Sequence, residues 1–186
     1  MNFYLTFLVL LLNFFDASAQ AKYFTKTGKI SFYSKSAMEN IEAVNNKLMS
    51  VWDIENGQIE FAVLMKGFEF EKALMQEHFN ENYVESDKFP KATFKGIVEN
   101  SNAVSIAKNN TTNIKVSGNL TLHGVTNPVS TTATIIVKNG VISASCNFNI
   151  LLQDYKISIP SIVSDKINKK IDISINIPVY QPFNSK

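Results

Sequence analysis

A single cysteine, Cys146, stands in a chain of 186 residues, so no internal disulfide can form, and a lone thiol builds no metal cluster. Histidine is nearly as scarce. His78 and His123 are the only two, and neither has a second histidine or a cysteine at ligand spacing, which leaves a zinc site without donors. The sequence holds no Gly-x-Ser-x-Gly elbow, no phosphate-binding P-loop and no dinucleotide fingerprint. Excess charge is missing as well: the formal net charge is +2, and the lysines are spread along the chain, which excludes the basic footprint of a nucleic-acid binder. Glu69, Glu71, Glu77, Glu81, Glu85 and Asp87 gather in one stretch that reads as a solvated face. Nothing sets two of them opposite each other as a hydrolytic pair. These absences point away from an enzyme and away from any cofactor.

What is present is apolar. Hydrophobic residues make up 45% of the chain, and fourteen phenylalanines against one tryptophan suit a large interior built from rings without polar atoms. Phe3 to Phe15 is an almost unbroken apolar run, followed by the small residues Ala17-Ser18-Ala19. That pattern predicts a signal peptide over residues 1–19, cleaved before Gln20. The run is too short to cross a bilayer as a helix, so no transmembrane segment is expected in the mature domain, residues 20–186. No cysteine follows the cleavage point to take a lipid anchor. A periplasmic or secreted protein is the expectation.

Beyond this leader the period is two. Strands are predicted at 29–34, 41–53, 59–66, 91–98, 112–123, 129–138, 141–152 and 170–178, with hairpin turns at Asn56-Gly57 and Asn139-Gly140. Between Val116 and His123 the alternation is strict, and Gly124 and Pro128 are expected to bracket a reversal before Val129. The one change of period comes after Gly67: Phe70, Leu74, Met75, His78 and Phe79 share a side of a short helix from about Glu71 to Phe79. Neither internal repeats nor linkers divide the chain. Eight antiparallel strands can close on themselves and abolish their edges, around an interior wide enough for one small ligand. The expected fold is therefore all-β, an eight-stranded barrel with one short helix. Lys115, Asn147, Asp172 and Glu60 on the polar faces suit bulk water, and no aromatic girdles mark the strand ends, which favours apolar residues inside over apolar residues toward lipid.

Three stretches carry a resemblance: His78-Phe79-Asn80, the run from Phe89-Pro90 to Gly96, and the run from Gly118 through His123-Gly124 to Asn127-Pro128. Together they resemble the YceI-like family, over essentially the whole span from Lys29 to Pro178. Asp154-Tyr155 sits where that family often has Asp-Phe before a glycine, and Lys156 stands in the glycine's place. The resemblance implies a lipocalin-like barrel outside the cytoplasm that takes up a polyisoprenoid or a similar long amphiphile.

Residue chemistry is compatible with such a ligand, since a hydrocarbon chain needs apolar wall and each buried methylene contributes about 0.8 kcal/mol. Candidates for the wall are Phe61, Val63, Met65, Phe68, Phe70, Leu74, Phe79, Phe94, Val116, Leu120, Leu122, Ile135, Phe148, Ile150 and Ile173. The plainer reading is that they fill a solid core. His123 is expected either to anchor its turn to Thr126 or, with Thr126, to meet a polar head group at the barrel mouth. Cys146 falls on the apolar side of its strand and reads as an inert buried thiol. Carriage of a lipid is the first expectation and a secreted interaction protein with a filled core the second, with a homodimer left open.

Overall fold

The computed structural model describes residues 22–36 and 38–183; the expected signal peptide, residues 1–19, lies outside them. Alternation of apolar and polar side chains builds the antiparallel strands β1 (Lys22–Lys35), β2 (Asn40–Asp53), β3 (Gln58–Leu64), β4 (Glu69–Phe70), β5 (Lys91–Val98), β6 (Asn110–Leu122), β7 (Val125–Lys138), β8 (Val141–Leu151) and β9 (Lys170–Pro182). The sheet runs β1, β9, β8, β7, β6, β5, β3, β2, and β2 pairs back with β1 to close it. β4 adds no ninth stave. After a tight 3-10 turn at Met65–Gly67 it resumes the course of β3 along β2, pairing Glu69 and Phe70 with Val44 and Ala43. The result is an eight-stranded closed barrel carrying one short helix, α1 (Ala73–His78).

The break between β3 and β4 explains a buried asparagine. Asn45 is only 1% exposed; its Nδ2 donates to Leu64 O at 2.9 Å, and its Oδ1 accepts from the Lys47 amide at 2.9 Å. Its amide thus serves the carbonyl at the point where the ladder is interrupted.

Several boundaries depart from the periodicity. β1 begins at Lys22 instead of Lys29, because register shifts between Thr25 and Ile30 hide its first half from a period-two reading. The reversal expected between Gly124 and Pro128 is tighter: Leu122 pairs with Val125, and the two turn residues His123 and Gly124 both take positive φ, 50° and 71°. That is the hairpin geometry whose twist matches the flanking strands. Pro128 then lies inside β7, opposite Asn119, where β7 has not yet met β8; that ladder starts at Ala133. Pro178 is likewise absorbed, within β9 where its pairing with β1 lapses between Asn176 and Gln181. Both prolines sit where no partner asks for an amide hydrogen. α1 starts later than expected, and a wider π-helical turn, Phe79–Tyr83, continues it through residues read as loop. No helix among the described residues is long and apolar enough to cross a membrane.

Inside, the barrel has two zones. One end is solid, filled by Leu48, Trp52, Val137, Ile142 and Ile177, each no more than 1% exposed. There the Tyr180 hydroxyl meets Ser50 Oγ at 2.8 Å and the Tyr180 ring packs edgewise on Trp52. Toward the middle, Phe94 lies against Gly96 and Gly118, which face each other across β5 and β6. A methyl group at Gly118 would fall on the Lys95 carbonyl, on Gly96 Cα and on the Phe94 ring. Gly118→Ala is therefore expected to lower stability by about 1–3 kcal/mol, the usual cost of overpacking. Urea unfolding with an unchanged slope would show this loss, and a midpoint equal to that of the unsubstituted chain would refute it.

Candidate functional site

The other end of the barrel is hollow. Here the C-terminal ends of β1, β3, β6 and β8 and the N-terminal ends of β2, β5, β7 and β9 meet, and a cavity of about 450 Å³ lies between them. This is within the range of small-molecule sites. Its wall comes from the strands through Ile30, Phe32, Val63, Ala92, Leu120, Leu122, Phe148, Ile150, Ile171 and Ile173. One side of its roof is the segment from Met65 to Val84, including α1. The other is the crossover between β8 and β9, which lays Leu152, Ile157, Val163 and Ile167 over the opening.

Phe79 fixes the first roof element. Its ring centroid lies 5.4 Å from Phe32, 5.7 Å from Phe68 and 5.0 Å from Phe70, an aromatic cluster that ties the helical turn to β1 and β4. Asn168 fixes the second: its amide donates to Ser34 Oγ and its side chain to Lys35 O, both at 2.9 Å, which clips the crossover to the end of β1.

The lining is almost entirely apolar, with Ser34 and Tyr83 as its uncharged polar members. Glu39, Lys72, His78 and Lys166 border the opening, and Lys72 Nζ donates to Glu39 Oε1 at 2.8 Å, bridging the β1–β2 hairpin to the start of α1. The hydrogen bond from Lys72 holds the Glu39 carboxyl below its ordinary range, and the same contact raises Lys72. Among the described residues, no three histidine, cysteine or carboxylate side chains come together as metal ligands.

Eleven of the fifteen proposed wall residues border this cavity: Val63, Met65, Phe68, Phe70, Leu74, Phe79, Leu120, Leu122, Phe148, Ile150 and Ile173. Phe61, Phe94, Val116 and Ile135 do not. They face the interior but belong to its packed part, Phe61 and Phe94 edge to face at 6.0 Å and Val116 and Ile135 nearly inaccessible. Periodicity gives the facing of a side chain and not its height along the barrel. Tyr83, Val84 and the crossover residues were missed because the short turns and loops they occupy carry no regular spacing, and Ile30, Phe32, Ala92 and Ile171 were missed although they lie on strands.

His123 and Thr126, expected at a polar mouth, do not border the cavity. Thr126 bonds Thr121 across the hairpin at 2.8 Å. His123 joins three segments. Its Nε2 meets Glu85 Oε2 at 2.7 Å, its Nδ1 meets Tyr155 O at 3.0 Å, and the Phe89 ring packs edgewise on it at 4.7 Å. Each ring nitrogen thus faces an oxygen acceptor, one a main-chain carbonyl and the other a carboxylate. Asn127 Nδ2 adds a bond to Asp154 O at 2.6 Å. The latch therefore fastens both roof elements to the β6–β7 turn.

The YceI-like domain model matches residues 15–179. The chain belongs to the YceI-like family. Similar folds occur in a polyisoprenoid-binding domain from Saccharophagus degradans, at TM-score 0.77 and 15% identity over 88% of this chain and 99% of that one. They occur also in BcnA of Burkholderia cenocepacia, at TM-score 0.67 and 15% identity over 83% and 96%, and in the YceI protein of Campylobacter jejuni, at 0.56 and 21% over 82% and 90%. No curated protein matches the sequence.

In this YceI-like domain the residues that carry the family resemblance divide by task. Phe79 borders the cavity, while Phe89, His123, Gly124, Asn127 and the Asp154-Tyr155 pair meet at the latch. Lys156, in the glycine's place, adopts the left-handed conformation at φ 56° that a glycine would take without strain. The crossover geometry survives the substitution, at a local cost of about 1–2 kcal/mol. Cys146 is free, and burial pushes its thiol up to about 11.

Three outcomes are expected. Lys156→Gly should raise stability by at most about 1 kcal/mol, since relief of strain exceeds the entropic cost of glycine only slightly; a lower unfolding midpoint would contradict the strain. Cys146 should resist iodoacetamide at pH 8 until denaturant is added, checked by intact mass. The hydrogen bond from His123, aided by Lys88, holds the Glu85 carboxyl below its ordinary range. Its contribution to stability is thus present above the unfolded carboxyl's pKa of about 4.3 and disappears as pH falls through the lower folded value. Glu85→Gln should accordingly show a smaller acid-induced drop in melting temperature than the unsubstituted chain.

Proposed function

We propose that this YceI-like domain is a non-catalytic carrier that sequesters a polyisoprenoid or similar long-chain amphiphile, working outside the cytoplasm after removal of residues 1–19. The observation that supports it is the cavity itself: about 450 Å³ of apolar space at one end of a closed barrel, with its charged groups gathered at the opening. A filled-core interaction protein would have no use for such a void. Roughly ten methylenes at about 0.8 kcal/mol each come to about 8 kcal/mol, enough for micromolar affinity before ordering costs. The tail takes the wall and the head group stays at the rim, beside Glu39, Lys72, His78 and Lys166. Carriage needs no bond made or broken, so the histidines need no catalytic part in it. The structural likeness to a polyisoprenoid-binding domain adds weight to this choice of ligand.

Leu120 borders the cavity on β6 and offers the direct test. Leu120→Trp should weaken uptake of a fluorescent long-chain probe at least about tenfold while the far-ultraviolet spectrum stays that of a β-barrel. Phe94→Trp should act differently, lowering stability through its contact with Gly96 and Gly118. Mass spectrometry of lipids released from natively purified protein should find one amphiphile near stoichiometry. A folded Leu120→Trp variant with full uptake, or an empty native protein that takes up no probe, would reject the carrier reading.

A further inference from the structure

The three most exposed large apolar side chains among the described residues are Ile162 at 89%, Met38 at 68% and Leu74 at 61%. They come from three different segments that frame one opening. Met38 precedes Glu39 on the rim, Leu74 follows Lys72 and itself borders the cavity, and Ile162 precedes Val163, which overhangs it. The Lys72–Glu39 ion pair holds the first two segments together, and the Lys166 charge acts on Glu39 from the third. Of the other exposed apolar residues, Leu64 at 59%, Met49, Val51, Ile97, Ile136, Val141, Leu151 and Val179 lie on the strands and Phe183 just after β9. Folding gains nothing from leaving three bulky apolar tips in water around a hydrophobic hollow.

Charge around the opening is uneven. The three segments and the start of β9 carry Lys35, Lys72, Lys156, Lys166, Lys169 and Lys170 against Glu39, Glu71, Asp154 and Asp165, with the surplus where the crossover enters β9. The outer side of the helical roof is the reverse: Glu77, Glu81 and Asp87 gather there around Lys66, which pairs with Asp87. Separate apolar tips interspersed with lysine do not form the continuous patch that a stable pairing of two copies requires. They suit a bilayer, where each tip enters the headgroup layer independently and lysine meets anionic lipid.

We propose that the open end of the barrel is a membrane-docking face, in which Met38, Leu74 and Ile162 enter the surface of a bilayer containing anionic phospholipid and bring the cavity mouth against its acyl layer. The crossover edge faces the lipid and the acidic roof faces away. This inference rests on the carrier reading, and it assigns the route by which a water-insoluble tail reaches the cavity without crossing bulk water.

Flotation of the purified chain with vesicles of equal parts phosphatidylglycerol and phosphatidylcholine, and with vesicles of phosphatidylcholine alone, tests it. Ile162 and Met38 do not border the cavity, so Met38→Asp with Ile162→Asp spares the wall. Binding to the anionic vesicles, stronger than to neutral ones, should fall about tenfold or more in this variant. Ile97→Asp, on the strand exterior, should bind as before. Loading of a fluorescent fatty acid delivered from solution should be equal in all three proteins, while loading from donor vesicles should slow only in the double variant. Absent flotation, or flotation unchanged by the double substitution, would overturn the docking face. So would a dimer in sedimentation that the double substitution dissolves without any vesicle binding. Intact flotation with no loading from either source would instead remove the carrier reading and leave the docking face standing.

Discussion

Closure of the sheet is the constraint on which the rest depends. β1 hydrogen-bonds to β2 along one edge and to β9 along the other, so no open edge is left and one face of every strand is turned inward. Once that face is dry, its side chains must either fill the enclosed volume or leave a void. At one end they fill it, with Trp52, Leu48 and Ile142. At the other, Phe32, Leu120, Phe148 and Ile173 border a cavity, and what covers it comes from the segments between the strands.

That cover is held by polar contacts. The wall is made of interchangeable apolar residues, but the roof depends on specific groups: Asn168 clips the crossover, Asn45 steadies the break that leads into the roof, and His123 ties the loop after the helix to the β6–β7 turn and to Tyr155. Of the motif residues through which the chain resembles its family, those around His123 maintain the enclosure and do not line it.

Much of the barrel could be read from alternation alone. β8 and the greater part of β9 follow a strict period of two, and the eight-strand count survives contact with the structure. Where alternation fails there is a physical cause. The bulged first half of β1 has no constant period, and Pro128 and Pro178 look like terminators until their neighbours prove to need no amide from them. The site was legible in one coordinate only. Val63 and Phe61 alternate on the same face of β3, yet one borders the hollow and the other the packed part. His123 could not be placed at all from its own surroundings, because its partners lie on segments far away in the chain.

The seam between β1 and β9 has a further consequence for how the molecule comes into being. It joins the first described strand to the last, so the barrel cannot shut until residues 170–182 have been synthesised. Contacts between such distant parts of a chain form slowly. The hollow at the open end therefore exists only once the whole chain is present, and nothing can be enclosed before the final strand has closed the seam.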